Sequence, residues 1–97
     1  MATYIVLANF TEQGIKNVAD TLKRSDAVKA VAQKLGITLK DIYWTLGSCD
    51  IVATFEAPDD VAMTALGLSL GKLGNVRTQT LRAFSAADMN GILGKLV

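Results

Sequence analysis

The stretch that most constrains this chain is residues 37–56. Ile42, Trp44 and Leu46 alternate with Tyr43 and Thr45, and further on Ile51, Ala53 and Phe55 alternate with Asp50, Val52, Thr54 and Glu56. A period of two places alternate side chains on opposite faces of a strand. Between the two runs, Gly47-Ser48 reads as a two-residue hairpin turn, because Gly tolerates the positive φ that such turns demand. Residues 37–46 and 49–56 are therefore expected to be antiparallel neighbours in a sheet.

The flanking segments supply the rest of the architecture. Ala2 to Phe10 alternate, with Tyr4, Val6, Ala8 and Phe10 on one face and Thr3, Ile5, Leu7 and Asn9 on the other. Both sets are mostly apolar, which predicts a strand covered on two sides. Thr11 caps the next segment and Glu12 suits its first turn, while Gly14 keeps that piece short. A longer helix is predicted from Thr21 to Leu35, with Val28, Val31, Ala32 and Leu35 inward and Lys23, Arg24, Lys29, Gln33 and Lys34 outward. Gly36 stops it. Pro58, Asp59 and Asp60 open a second helix that runs to Leu73 and ends at Gly74-Asn75. Its Ala62, Ala65, Gly67 and Gly71 are small, which predicts close helix-to-sheet approach. Val76 to Phe84 form a fourth strand. Ser85 and Asp88 have the spacing of a capping box ahead of a short helix whose Met89, Ile92, Leu93 and Leu96 require something to dock on.

The order β-α-β-β-α-β with an added C-terminal helix is that of an α+β, ferredoxin-like fold: an antiparallel sheet with two helices on one face. The chain's 97 residues suffice for one domain, spanning residues 1–97. The helices cover one sheet face only. The other face still carries large apolar groups, and 51% of the residues are hydrophobic, a surplus for so small a body. Sheet-to-sheet pairing with a second copy in a homodimer is the simplest way to cover it, so self-association is expected.

Composition also excludes. The net charge is +1 with no basic patch, so nucleic acid is not an expected partner. Apolar runs are broken well short of a membrane span, and Met1 to Leu7 resembles no secretory leader, so a cytoplasmic, non-membrane protein is expected. Cys49 is the single cysteine and histidine is absent. That removes an intrachain disulfide, a structural zinc site and the commonest neutral-pH base. No metal and no cofactor is expected.

Three stretches then read together: Trp44-Thr45-Leu46-Gly47-Ser48-Cys49-Asp50, Phe55-Glu56-Ala57-Pro58-Asp59-Asp60, and Leu73-Gly74-Asn75-Val76 through Phe84. With Tyr4-Ile5-Val6-Leu7 and Thr11-Glu12-Gln13-Gly14-Ile15, they resemble the GYD-domain family over nearly the whole chain. Gly47 and Asp50 match that family's central signature, but Cys49 stands where its tyrosine is usual, which alters any pocket the tyrosine shapes. The resemblance implies the dimeric α+β barrel architecture and leaves the biochemical role open.

Five residues are candidates for binding a small ligand: Tyr43, Asp50, Thr78, Thr80 and Arg82. Asp50 follows the hairpin, where an aspartate either stabilises the turn by accepting backbone N–H bonds or stands as a carboxylate at a pocket mouth. Arg82 shares a strand face with Thr78 and Thr80, a polar stripe suited to an anion or carbonyl. It is equally suited to pairing with Glu56 or a helix carboxylate. Tyr43 and Trp44 face opposite ways, so one fills the helix-side core and the other faces the lumen or a dimer contact. Cys49 reads as an inert thiol, since neighbouring Asp50 opposes the thiolate. Gly74-Asn75 precedes a strand and makes no phosphate loop.

Two functional classes emerge. One is a homo-oligomeric small-ligand-binding or structural protein. The other is a cofactor-free enzyme of the monooxygenase or isomerase type that shares the barrel architecture, acting on a small carbonyl or aromatic compound through Tyr43, Asp50 and Arg82. Catalytic residues are not assignable from the sequence. Haem binding, seen elsewhere in that architecture, is disfavoured by the missing histidine.

Overall fold

In a computed structural model that describes residues 1–97, the chain runs β1 (Ala2–Phe10), α1 (Glu12–Lys16), a 3-10 turn (Val18–Asp20), α2 (Thr21–Lys34), β2 (Thr38–Trp44), β3 (Ile51–Ala57), α3 (Asp60–Lys72), β4 (Val76–Ala83) and α4 (Ala86–Leu93). The strands form one antiparallel sheet in the order β2-β3-β1-β4. This is the ferredoxin-like arrangement, with the additional C-terminal helix.

Register puts the expected side chains together. Tyr4 lies opposite Phe55 on β3 and Arg82 on β4, and Val6 opposite Ala53 and Thr80. These residues face α2 and α3. Tyr4, Val6, Ile37, Phe55, Met63 and Leu66 are buried there and anchor the core. Leu66 is wholly enclosed. On the opposite face Tyr43 neighbours Val52, Val52 neighbours Leu7, and Ile5 neighbours Leu81. No element of the chain's helical layer covers that row, and Tyr43 remains 62% exposed. Only 12 of the 97 residues are buried, so much of the apolar half of the chain stays at the surface.

Local chemistry explains the helix ends. The Thr11 hydroxyl accepts from the Gly14 N–H at 3.1 Å, starting α1. Asp59, rather than Pro58, is the cap of α3, its carboxylate accepting from the Ala62 N–H at 2.9 Å. Ser85 and Asp88 exchange two bonds of 3.0 Å in a complete capping box. Gly14 has a steric reason: a methyl group there would lie 1.9 Å from the Asn75 carbonyl oxygen, which itself accepts from the Thr11 N–H at 3.1 Å.

Four expectations are corrected. The β2–β3 connection is not a two-residue turn. The strands end at Trp44 and restart at Ile51, and Thr45 donates its N–H to the Asp50 carbonyl at 2.8 Å across a wider loop. Gly47 does hold a positive φ of 113° within it, but the Thr45 hydroxyl bond to the Cys49 carbonyl, 2.6 Å, closes the loop one step farther out. Gly67 and Gly71 do not mediate close packing, because a methyl at either would meet open space. Arg24 does not point outward. Its guanidinium lies 5.8 Å from the Phe10 ring centroid and donates to the Gly14 carbonyl at 3.1 Å. Finally, the α4 stripe finds no seat within its own chain: every residue of α4 is exposed. The radius of gyration, 14.6 Å, exceeds the ~13 Å of a compact body this size.

Candidate functional site

The helix-side face of β4 is an edge, and α3 only partly roofs it. Between them lies an open cleft of about 470 Å³. Thr78, Thr80 and Arg82 rise from β4 at alternate positions, Tyr4 supplies the floor from β1, and Asp60, Thr64 and Leu68 descend from α3. Strand alternation therefore delivers three of the five candidate residues to one space.

Tyr4 organises the cleft. Its ring is buried under the sheet–helix interface, and its hydroxyl donates to the Asp60 carboxylate in the first turn of α3. That hydrogen bond raises the phenol above its ordinary value of 10.0, with burial and the Asp60 charge acting in the same direction and Arg82 opposing them. The phenol accordingly stays a hydrogen-bond donor through the neutral range. Arg82 lies 5.6 Å from the Tyr4 ring centroid and 4.6 Å from that of Phe84. One of its terminal nitrogens donates to the Thr3 carbonyl, 3.3 Å, and to the Ala83 carbonyl. It forms no ion pair: Glu56, one expected partner, is bridged instead by Lys40 at 4.0 Å. The cleft thus places hydroxyls, a guanidinium edge and a carboxylate around an aromatic floor, groups able to hydrogen-bond a small polar molecule.

The other two candidates lie elsewhere. Asp50 accepts from the Phe10 N–H at 2.9 Å and donates its own N–H to the Ala8 carbonyl at 2.9 Å, tying the β3 start to the β1 end. It does not line the cleft. Tyr43 sits on the uncovered sheet face, and Trp44 takes the helix side with its indole N–H on the Thr21 hydroxyl at 2.9 Å. Cys49 is half-buried in the β2–β3 loop.

Tyr4 and Asp60 escape a reading of the sequence as site residues because their partnership spans 56 positions. Arg24 was legible: it precedes Val28 by four and Val31 by seven, on the helix stripe that turns inward. Its charge alone argued for solvent.

The class defined by sheet order and helix placement is the ferredoxin-like α+β domain. Within that class the chain belongs to the GYD domain family, whose family model matches residues 4–93. A relative from Thermus thermophilus, the "Glutamine synthetase and cystathionine beta-lyase binding protein", is 36% identical over 94 residues, covering 92% of this chain and 95% of that protein.

Proposed function

We propose that this chain is a homo-oligomeric binding protein in which a second copy covers the open sheet face while the α3–β4 cleft takes a small polar ligand. The observation that carries the reading is the uncovered apolar row Tyr43–Val52–Leu7 with Ile5–Leu81 beside it, crossing all four strands and rimmed by Asp41, Thr54, Arg77 and Gln79. An apolar centre with a polar rim is the anatomy of a protein interface. Two such sheets packed face to face about 10 Å apart interdigitate their side chains and remove this row from water. The Thermus relative is named for binding two enzymes. That name supports protein binding as the role of this chain as well, with the exposed α4 stripe of Met89, Ile92 and Leu93 as a further contact surface.

Sedimentation velocity at micromolar concentration tests the assembly. The wild type is expected to sediment as a dimer or larger, and Leu7→Asp and Val52→Asp to sediment as monomers that circular dichroism shows to be folded. A wild type that stays monomeric overturns sheet pairing. A thermal-shift screen of small carboxylates and carbonyl compounds tests the cleft; stabilisation is expected in the wild type and not in Arg82→Met.

A further inference from the structure

Asp60 and Arg82 stand in the α3–β4 cleft with opposite charges and no ion pair between them. Both are tied to Tyr4. Its hydroxyl donates to the Asp60 carboxylate, and Arg82 lies opposite Tyr4 in the β1–β4 register with its guanidinium 5.6 Å from the ring centroid. α3 runs toward the turn at residues 73–75 and β4 runs back from it, so Asp60 and Arg82 share the end of the cleft remote from that turn. Gly67, Leu68 and Thr78 form the end beside it, with Thr64 and Thr80 between.

Each charged group keeps bonding capacity that faces solvent. Asp60 uses one carboxylate oxygen, Oδ1, for Tyr4, and no protein donor meets Oδ2. Arg82 uses one nitrogen, Nη1, for the Thr3 and Ala83 carbonyls, while Nη2 and Nε meet no protein acceptor. Both residues are exposed, so a ligand reaches them from water. The neighbouring carboxylates are committed elsewhere. Asp59 caps α3 through the Ala62 N–H, and Asp88, which also feels the Arg82 charge, accepts from the Ser85 N–H.

We propose that the cleft binds a free α-amino acid with an uncharged polar side chain, its ammonium on Asp60, its carboxylate on Arg82 and its side chain directed along Thr64 and Thr80. The inference rests on the α3–β4 cleft being the small-ligand site, and it names the chemical class that site takes. A ligand of single charge compensates either Asp60 or Arg82, whereas a zwitterion meets both. Both groups flank the one Tyr4 side chain, so the ligand's charges must lie close together, as they do in an α-amino acid; a dipeptide separates its termini by about 7 Å. Along α3, Asp60 to Gly67 spans about 10 Å, and along β4, Thr78 to Arg82 spans about 13 Å, which leaves room for one side chain beyond the charged end. Threonine hydroxyls both donate and accept, which matches a side-chain amide or hydroxyl. They offer a third charge no counter-ion.

Calorimetric titration with L-glutamine tests the proposal, against N-acetyl-L-glutamine, which lacks the ammonium, the α-amide of L-glutamine, which lacks the carboxylate, and L-leucine. Amide chemical-shift mapping on the wild type locates the binding. L-Glutamine is expected to bind at millimolar concentration and to shift resonances of Thr64, Thr78 and Thr80. Each derivative is expected to bind about five- to tenfold more weakly, the loss of one charge-assisted contact in a cleft open to water. Asp60→Asn, which keeps an acceptor for Tyr4, is expected to weaken glutamine by the same factor and to leave N-acetyl-L-glutamine unchanged. Equal affinity for glutamine and its N-acetyl derivative overturns the amino-acid proposal and leaves the cleft as a carboxylate site. Leucine binding as tightly as glutamine overturns the polar side-chain assignment. Absence of cleft shifts with glutamine overturns the proposal alone if small carboxylates still stabilise the wild type, and the small-ligand reading of the cleft with it if they do not. Should Asp60→Asn not fold, the glutamine derivatives decide the matter on the wild type.

Discussion

Gly14→Ala isolates the junction that joins α1 to the α3–β4 turn. Elsewhere in a helix this change stabilises by about 1 kcal/mol, because alanine restricts the unfolded chain and suits the helix. Here the added methyl would stand 1.9 Å from the Asn75 carbonyl oxygen and 2.9 Å from its carbon, backbone atoms that cannot rotate away. Relief requires α1 or the Asn75 segment to move by about an ångström or more, the gap between such a contact and ordinary van der Waals separation. That movement breaks the Thr11 N–H bond to Asn75, 3.1 Å, and strains the Gln13 side-chain bonds to the Leu73 carbonyl, 3.2 Å, and the Asn75 amide oxygen, 2.9 Å. Overpacking costs about 1–3 kcal/mol and the lost hydrogen bond about 1 kcal/mol, so the net loss is about 1–3 kcal/mol after the helix gain. For a chain this size that lowers Tm by about 4–24 °C in a thermal melt followed by circular dichroism. Gly71→Ala is the internal control. A methyl there meets nothing, so the same substitution is expected to raise Tm by a few degrees. A Gly14→Ala melt at or above the wild-type midpoint refutes the steric argument.

Three further outcomes are expected. Asp50→Ala removes the acceptor of the half-buried Phe10 N–H and is expected to cost about 1.5–3 kcal/mol in urea denaturation, whereas Asp50→Asn keeps an acceptor oxygen and recovers most of it. Tyr4 has a folded-state value above its unfolded one, so its bond to Asp60 contributes fully below about pH 10 and is lost as pH rises through the raised folded value. The stability difference between wild type and Tyr4→Phe is therefore expected to shrink above that pH, and a difference that stays constant to about pH 12 would sink the assignment. Asp88 behaves in the opposite sense. Its bonds from the Ser85 N–H and then the Ser85 hydroxyl hold it below 3.8, so the capping box contributes above the unfolded value and fails as pH falls through the folded one. Helical ellipticity from α4 is expected to fall on acidification in the wild type and to be already reduced at neutral pH in Asp88→Asn.

Local chemistry made most elements readable before any coordinates. Period-two alternation in Val76–Ala83 set both faces of β4, and it is why Thr78, Thr80 and Arg82 share a cleft. The Ser85–Asp88 spacing announced a cap whose partners are only three residues apart. In the same way Gly36 and Gly47 adopt positive φ where a stop and a turn were expected. These inferences succeed because the forces involved act within one helical turn or one strand register.

Residues 37–56, the most informative stretch of the sequence, determined that two antiparallel strands meet there and led to the family and the sheet order. They did not determine the loop, because its closure depends on the Thr45 hydroxyl reaching Cys49 rather than on the dihedral preference of Gly47 alone. They offered Asp50 as an acceptor of backbone N–H bonds, but not that the donor is the Phe10 N–H, 40 positions away on β1. Tertiary structure alone decided the rest. Packing α3 beside β4 brought Asp60 onto Tyr4, and packing α2 against α1 turned Arg24 inward onto the Gly14 carbonyl. Side-chain pattern specifies which face of an element is apolar. The groups that a charged residue on that face will meet depend on which backbone carbonyls and rings arrive from distant parts of the chain.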